Sequence, residues 1–127
     1  MSRLPLSLLT FCIAIATIAA PLSPAARAEI DGLLARLVAS GCEFNRNGSW
    51  YTAAKAASHL SQKLKYLEDQ GMVQTTEQFI EIAASGSSKS GQPYLVRCGN
   101  GAPVQSGQWL RSQLKDLRSV IRAPSTP

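Results

Sequence analysis

One histidine, His59, stands with Lys55 and Lys63 four residues to either side. On a helix that spacing puts both cations near the imidazole, and two nearby positive charges disfavour its protonation. A neutral imidazole at pH 7 is a general base. The hydroxyls on offer to it are Ser87, Ser88 and Ser90 in "SSKSGQPYLVRC" (87–98), and that pairing would make a small serine hydrolase. Two observations weigh against it. No serine sits in the G-x-S-x-G elbow that exposes a nucleophile, and the acids Glu43, Glu68, Asp69, Glu77 and Glu81 show no spacing that marks a carboxylate pair. The commoner role of such a histidine is to hydrogen-bond a loop carbonyl and pin the loop to its helix. No catalytic residue is assigned.

Other chemistries are poorly supplied. Zinc wants three or four His, Cys, Asp or Glu ligands at short spacings, and one histidine with two pairable cysteines does not provide them. "SGSSKSG" lacks the G-x-x-x-x-G-K-[ST] pattern of a phosphate-cradling loop. Neither a metal nor a cofactor is expected. Binding is better provided for. "FNRNGSWY" (44–51) sets Arg46, Trp50 and Tyr51 around a turn, and aromatic and arginine side chains are the usual anchors of an interface. The candidate binding residues are Arg46, Tyr51, His59, Ser88, Ser90 and Tyr94.

These residues need elements to hold them. "EIDGLLARLVAS" (29–40) places Ile30, Leu33, Leu34, Leu37 and Val38 at helical spacing, with Glu29 and Asp31 at the positive end and Gly41 as the stop. "CEFNRNG" (42–48) reads as a connection containing an Asn-Gly turn. A second helix is expected over 51–70, burying Ala53, Ala57, Leu60, Leu64 and Leu67 before Gly71. A third spans 75–85, where Thr75 and Gln78 fit a capping box and Phe79, Ile80 and Ala83 face inward. "YLVRC" (94–98) is a short strand, "GNG" a hairpin turn, and "APVQ" (102–105) the returning strand, weakened by Pro103. The fourth helix covers 106–122 with Ser106 as N-cap. One arc of it carries Trp109, Leu110, Leu114, Leu117, Val120 and Ile121, and another carries Arg111, Lys115, Arg118 and Arg122. "APSTP" is a frayed tail. The fold class is therefore mainly α: four helices, a strand or hairpin between helices 3 and 4, and one disulfide.

The N-terminus reads differently. Arg3 precedes an apolar run from Leu4 to about Ala20, and small residues end the stretch at Ala26-Arg27-Ala28. This is the pattern of a secretory signal peptide over 1–28, cut after Ala28. The rest, 29–127, is 99 residues and makes a single small domain. Losing Arg3 and Arg27 leaves eleven basic residues against eight acidic, net +3. That mild charge suits an anionic surface and speaks against nucleic acid as a partner. Cys12 leaves with the leader, so Cys42 and Cys98 remain as an even pair, expected to bridge in an oxidising compartment. The bulky Phe11 and the apolar residues after Cys12 speak against lipidation there. No membrane span is expected after cleavage.

"CEFNRNG", "AASHLSQKL", "TTEQFIEIAAS" and "SSKSGQPYLV" follow one another in this order. Together they resemble the YfeK-like family of small exported proteobacterial proteins, a domain of unknown function, over about residues 30–120. The resemblance implies a bacterial, periplasmic protein and no activity. "SGQPY" (90–94) separately resembles the S-G-x-x-Y loop of bacterial periplasmic lysozyme inhibitors. In that class a serine and a tyrosine enter an acidic cleft, which implies a hydrolase partner. The expectation is a non-enzymatic binding or accessory module of the cell envelope, whose partner is a periplasmic protein or an anionic envelope polymer. A hydrolase inhibitor acting through Ser90 and Tyr94 is one alternative, and a serine hydrolase using His59 is the other.

Overall fold

The computed structural model describes residues 2–14 and 20–122. Part of the apolar leader run and the "APSTP" tail lie outside the described residues. The elements are α1 (Pro24–Ser40), β1 (Glu43–Arg46), β2 (Ser49–Thr52), α2 (Ala53–Asp69), α3 (Thr76–Gln78), β3 (Leu95–Arg97), β4 (Val104–Gln105) and α4 (Ser106–Arg122). α3 runs on directly as a π-helical turn over Phe79–Ala83. No helix among the described residues is long and apolar enough to cross a membrane.

The strands pair antiparallel in the order β2-β1-β3-β4. This corrects the mainly α expectation: the fold is mixed α/β, and the sheet is not confined to the β3–β4 hairpin between helices 3 and 4. Half of the sheet precedes α2 and is drawn from residues read as a connection and as the start of that helix. The physical reason is local. Asn47 and Gly48 both adopt positive φ, 52° and 85°, which is what a two-residue hairpin turn requires. The turn sets Arg46 opposite Ser49 and Phe44 opposite Tyr51. Trp50, Tyr51 and Thr52 are strand formers, so α2 starts only at Ala53, capped by the Thr52 hydroxyl.

One sheet face buries Phe44 and Val96 against α2 and α4. α1 lies across the same two helices, antiparallel to α4. Its Arg36 donates to Gln113, and its Glu29 accepts from Arg118 at 2.7 Å. The expected stripe of α2 is buried in full, as are Phe79, Ile80 and Ala83. α1 begins earlier than expected. The Ser23 hydroxyl accepts from the Ala26 amide and Pro24 takes a first-turn position, where its missing N–H costs nothing. Glu29 therefore sits inside the helix, where it also accepts from the Thr76 hydroxyl at 2.7 Å. Three apolar expectations fail. Val38, Val120 and Ile121 are 47%, 63% and 69% exposed, because nothing among the described residues covers the ends of α1 and α4 on those sides. Ser106 is not a visible cap either: its hydroxyl is buried without a partner, while its amide donates to the Tyr94 carbonyl.

Cys42 and Cys98 form the expected disulfide, 56 residues apart in sequence. The bond joins the residue before β1 to the residue after β3, and so fastens the two central strands at one end.

Candidate functional site

Arg46 closes β1 immediately before the hairpin turn, and the turn fixes where its guanidinium can go. Its Nη1 lies 2.8 Å from Nδ1 and 3.2 Å from Nε2 of His59, one turn and a half into α2. A guanidinium only donates, so it takes an unprotonated ring nitrogen. The imidazole is accordingly held neutral. Burial is the largest cause, and the Arg46 and Lys63 charges add to it. The direction is the one expected, with Arg46 in place of Lys55 as one of the cations responsible.

Tyr94 forms the floor. Its amide donates to the Ser85 carbonyl and its carbonyl accepts from the Ser106 amide, so the backbone is gripped from the end of the π-turn and from α4. The ring packs on Phe44 at 5.2 Å and is only 2% exposed. Lys63 Nζ lies 5.1 Å from the ring centroid and donates to the Tyr94 hydroxyl at 3.2 Å and to the Gly86 carbonyl at 2.8 Å. The second ring nitrogen of His59 stands 3.5 Å from the same hydroxyl. The hydroxyl oxygen thus accepts from Lys63, while the direction of its contact with His59 follows the tautomer of the ring. Burial raises the phenol's pKa and keeps its proton in place at neutral pH. Burial lowers that of Lys63, with Arg46 assisting.

The serine loop is a closed turn of its own. Ser87 donates its amide to the Gln92 carbonyl, Gly91 donates to the Ser87 carbonyl, and the Ser87 hydroxyl accepts from the Lys89 and Ser90 amides. Gly91 supplies the positive φ the turn needs. The loop brings Ser88 and Lys89 over Tyr94, and a groove of about 340 Å³ opens between them, Arg46, His59 and Lys63. A smaller recess lies on the other side of Arg46, between Tyr51 and Lys55. The cations of Arg46 and Lys55 sit 5.3 and 5.4 Å from the Tyr51 ring centroid, and hydrogen bonding to Arg46 lowers the phenol's pKa.

Of the six residues singled out from sequence, Arg46, His59, Ser88 and Tyr94 line one groove. Tyr51 flanks it across Arg46. Ser90 stands outside, exposed, with its hydroxyl donated to Asn47 at 2.7 Å. No serine hydroxyl hydrogen-bonds His59 among the described residues; the imidazole's partners are Arg46 and Tyr94. Lys63 is the residue sequence reading undervalued. Its signal was the four-residue step from His59, which puts both on one helix face.

Charge sets this groove apart. Arg27, Arg36, Arg97 and Arg118 each meet a carboxylate. Arg46, Lys63 and Lys89 meet none among the described residues, and no acid lines either the groove or the recess beside it. On the basic side of α4, Arg111, Lys115 and Arg122 also meet no carboxylate among the described residues, but Glu77 stands among them and Arg118 is taken by Glu29 and Glu77.

The fold and the site together define a small disulfide-tied α/β domain that presents hydrogen-bond donors and positive charge in a preformed groove. The chain belongs to a family of unknown function, DUF5329, whose model matches residues 24–118. No curated protein and no solved structure matches it.

Proposed function

We propose that this is an exported, non-enzymatic binding module of the bacterial cell envelope that captures its partner in the Arg46–His59–Lys63–Tyr94 groove. One observation carries the reading: three cations converge on a groove without a single carboxylate. Uncompensated like charges repel one another and are costly to keep together, and a bound anion removes that cost. The periplasmic location and the kinship to YfeK-like proteins rest on the leader pattern of residues 1–28 and on the quoted motifs. The disulfide between the two cysteines of 29–127 supports an oxidising compartment.

The same geometry ranks the alternatives. A loop that enters a hydrolase cleft must offer both its serine and its tyrosine, and Tyr94 is buried beneath Lys63. Only Ser90 remains to play that part. A serine hydrolase needs a hydroxyl against His59, and the imidazole faces a guanidinium instead.

Immobilised protein should retain a partner from solubilised peptidoglycan or periplasmic extract. Lys63→Gln and Lys89→Gln should release it, with Arg111→Gln on α4 as the control. Release by Arg111→Gln with the groove variants silent would move the site to α4 and end this proposal.

A further inference from the structure

Resting on the groove reading, we infer that the groove recognises a phosphoryl group, so that its ligand is a phosphomonoester. The charge count comes first. Arg46, Lys63 and Lys89 contribute three positive charges and His59 is neutral. A carboxylate would cancel one of them; a phosphate dianion cancels two.

Geometry agrees with the count. The donors arrive from three elements: Arg46 from β1, Lys63 from α2, and Ser88 with Lys89 from the loop before β3. A carboxylate is planar and offers two oxygens on one side. A phosphoryl group offers three oxygens on a tetrahedron, which suits donors that come from different directions. The Tyr94 hydroxyl is buried at the base of the groove and holds Lys63 in place by accepting from it at 3.2 Å. Arg46 spends one nitrogen on His59 and also serves Tyr51, out of the five N–H donors a guanidinium carries. At about 340 Å³ the groove exceeds what one phosphoryl group fills and lies within the size range of small-molecule sites. The exposed ring of Tyr66 at its edge gives the rest of the ligand a surface to lie on.

The basic side of α4 is the competing anion site, and it is poorer. Glu77 stands in it and Arg118 is already paired with two carboxylates.

The test is a titration of the exported, disulfide-bonded protein, followed by amide resonances and by calorimetry. Inorganic phosphate should bind saturably, with shifts centred on residues 46, 59, 63 and 87–94. Acetate at equal ionic strength should bind on the order of tenfold weaker or less. Lys63→Gln should weaken phosphate about tenfold, the scale of one charge-assisted hydrogen bond. Lys89→Gln should also weaken it, and because that side chain is exposed the variant should keep the fold. Arg111→Gln should change nothing.

Two further arms separate the sources of the phosphoryl group. Glucose 6-phosphate reports a soluble ester, and phosphatidic acid in phosphatidylcholine vesicles reports a lipid headgroup; tighter binding in either arm supports the inference. Acetate binding as well as phosphate would overturn it and leave the groove reading standing. So would a partner capture that depends on Lys63 and Lys89 while phosphate neither binds nor competes. Shifts centred on Arg111 and Lys115 would overturn both.

Discussion

His59 sits where two physical effects point the same way. Burial and the Arg46 and Lys63 charges both favour the neutral ring, so its folded pKa lies below the ordinary value. The groups that face it are Arg46 from β1, Lys63 from its own helix and Tyr94 from the loop, none of them a carboxylate. The sign follows from proton binding. Below the unfolded histidine's pKa of about 6.5 the unfolded chain takes up a proton that the folded chain refuses. Stability should therefore be full above that pH, fall as pH drops through it, and level off below the folded pKa. Thermal melts from pH 8 to pH 5 should show this slope, and His59→Gln should flatten it. An unchanged slope in the variant would mean that the ring is not held as described. At this scale the sequence was informative in one direction only. His59 and its lysine neighbours were legible because helical spacing is local. The meeting with Arg46 was not, because it depends on a hairpin that turns β1 back towards α2.

α4 was legible from end to end, since seventeen residues of amphipathic pattern leave little choice of period or boundary. β1 and β2 were hidden for the opposite reason: strands of four residues carry too few alternations to declare a face, and "YTAAKAAS" continues smoothly into a helical stripe. Thr75 and Gln78 show a partial success. The Thr75 hydroxyl does accept from the Gln78 amide, but the returning Gln78 carbonyl takes the amide of Gln74 instead of that of Thr75. The junction between the π-turn and α4 allows a sharper test. A Cβ at Gly107 would stand 2.5 Å from the Ser85 hydroxyl oxygen, which itself donates to the Ile80 carbonyl at 2.6 Å. Gly107→Ala should cost about 1–3 kcal/mol as an overpacked contact. Adding Ser85→Ala removes the clashing oxygen and should return part of that loss in a denaturant titration. A double variant no better than the single one would place the strain elsewhere.

For the whole molecule the disulfide is the strongest single constraint. It closes a span of 56 residues, which the chain-entropy account values at roughly 4 kcal/mol, with native strain reducing it in practice. It also fastens β1, which carries Arg46, to β3, which follows Tyr94. Reduction should lower the denaturant midpoint by an amount equivalent to about 2–4 kcal/mol, and phosphate affinity should fall under conditions where far-ultraviolet circular dichroism is still native. Equal affinity in the reduced, folded protein would show that the sheet alone holds the groove. The pairing itself was legible from a count of cysteines. From that bridge follows the approach of residues 42–48 to the strand over 94–98, which is the β1–β3 pairing; the individual side-chain contacts were not legible, because they join residues half a chain apart.

Export, as proposed above, would give the cysteines a history. Between residues 29 and 127 there are two thiols and therefore one way to join them, so oxidation cannot make a wrong choice. Cys12, exposed and unbonded, is the single competitor; while it stays attached, three pairings are open instead of one. A leader cut after Ala28 would remove the first turn of α1, with its Ser23 cap, buried Ala26 and Arg27–Glu68 pair, and it would thus do more than release the protein. It would discard the only thiol capable of capturing Cys42 or Cys98 in error, and the mature chain would need an oxidant but no reshuffling.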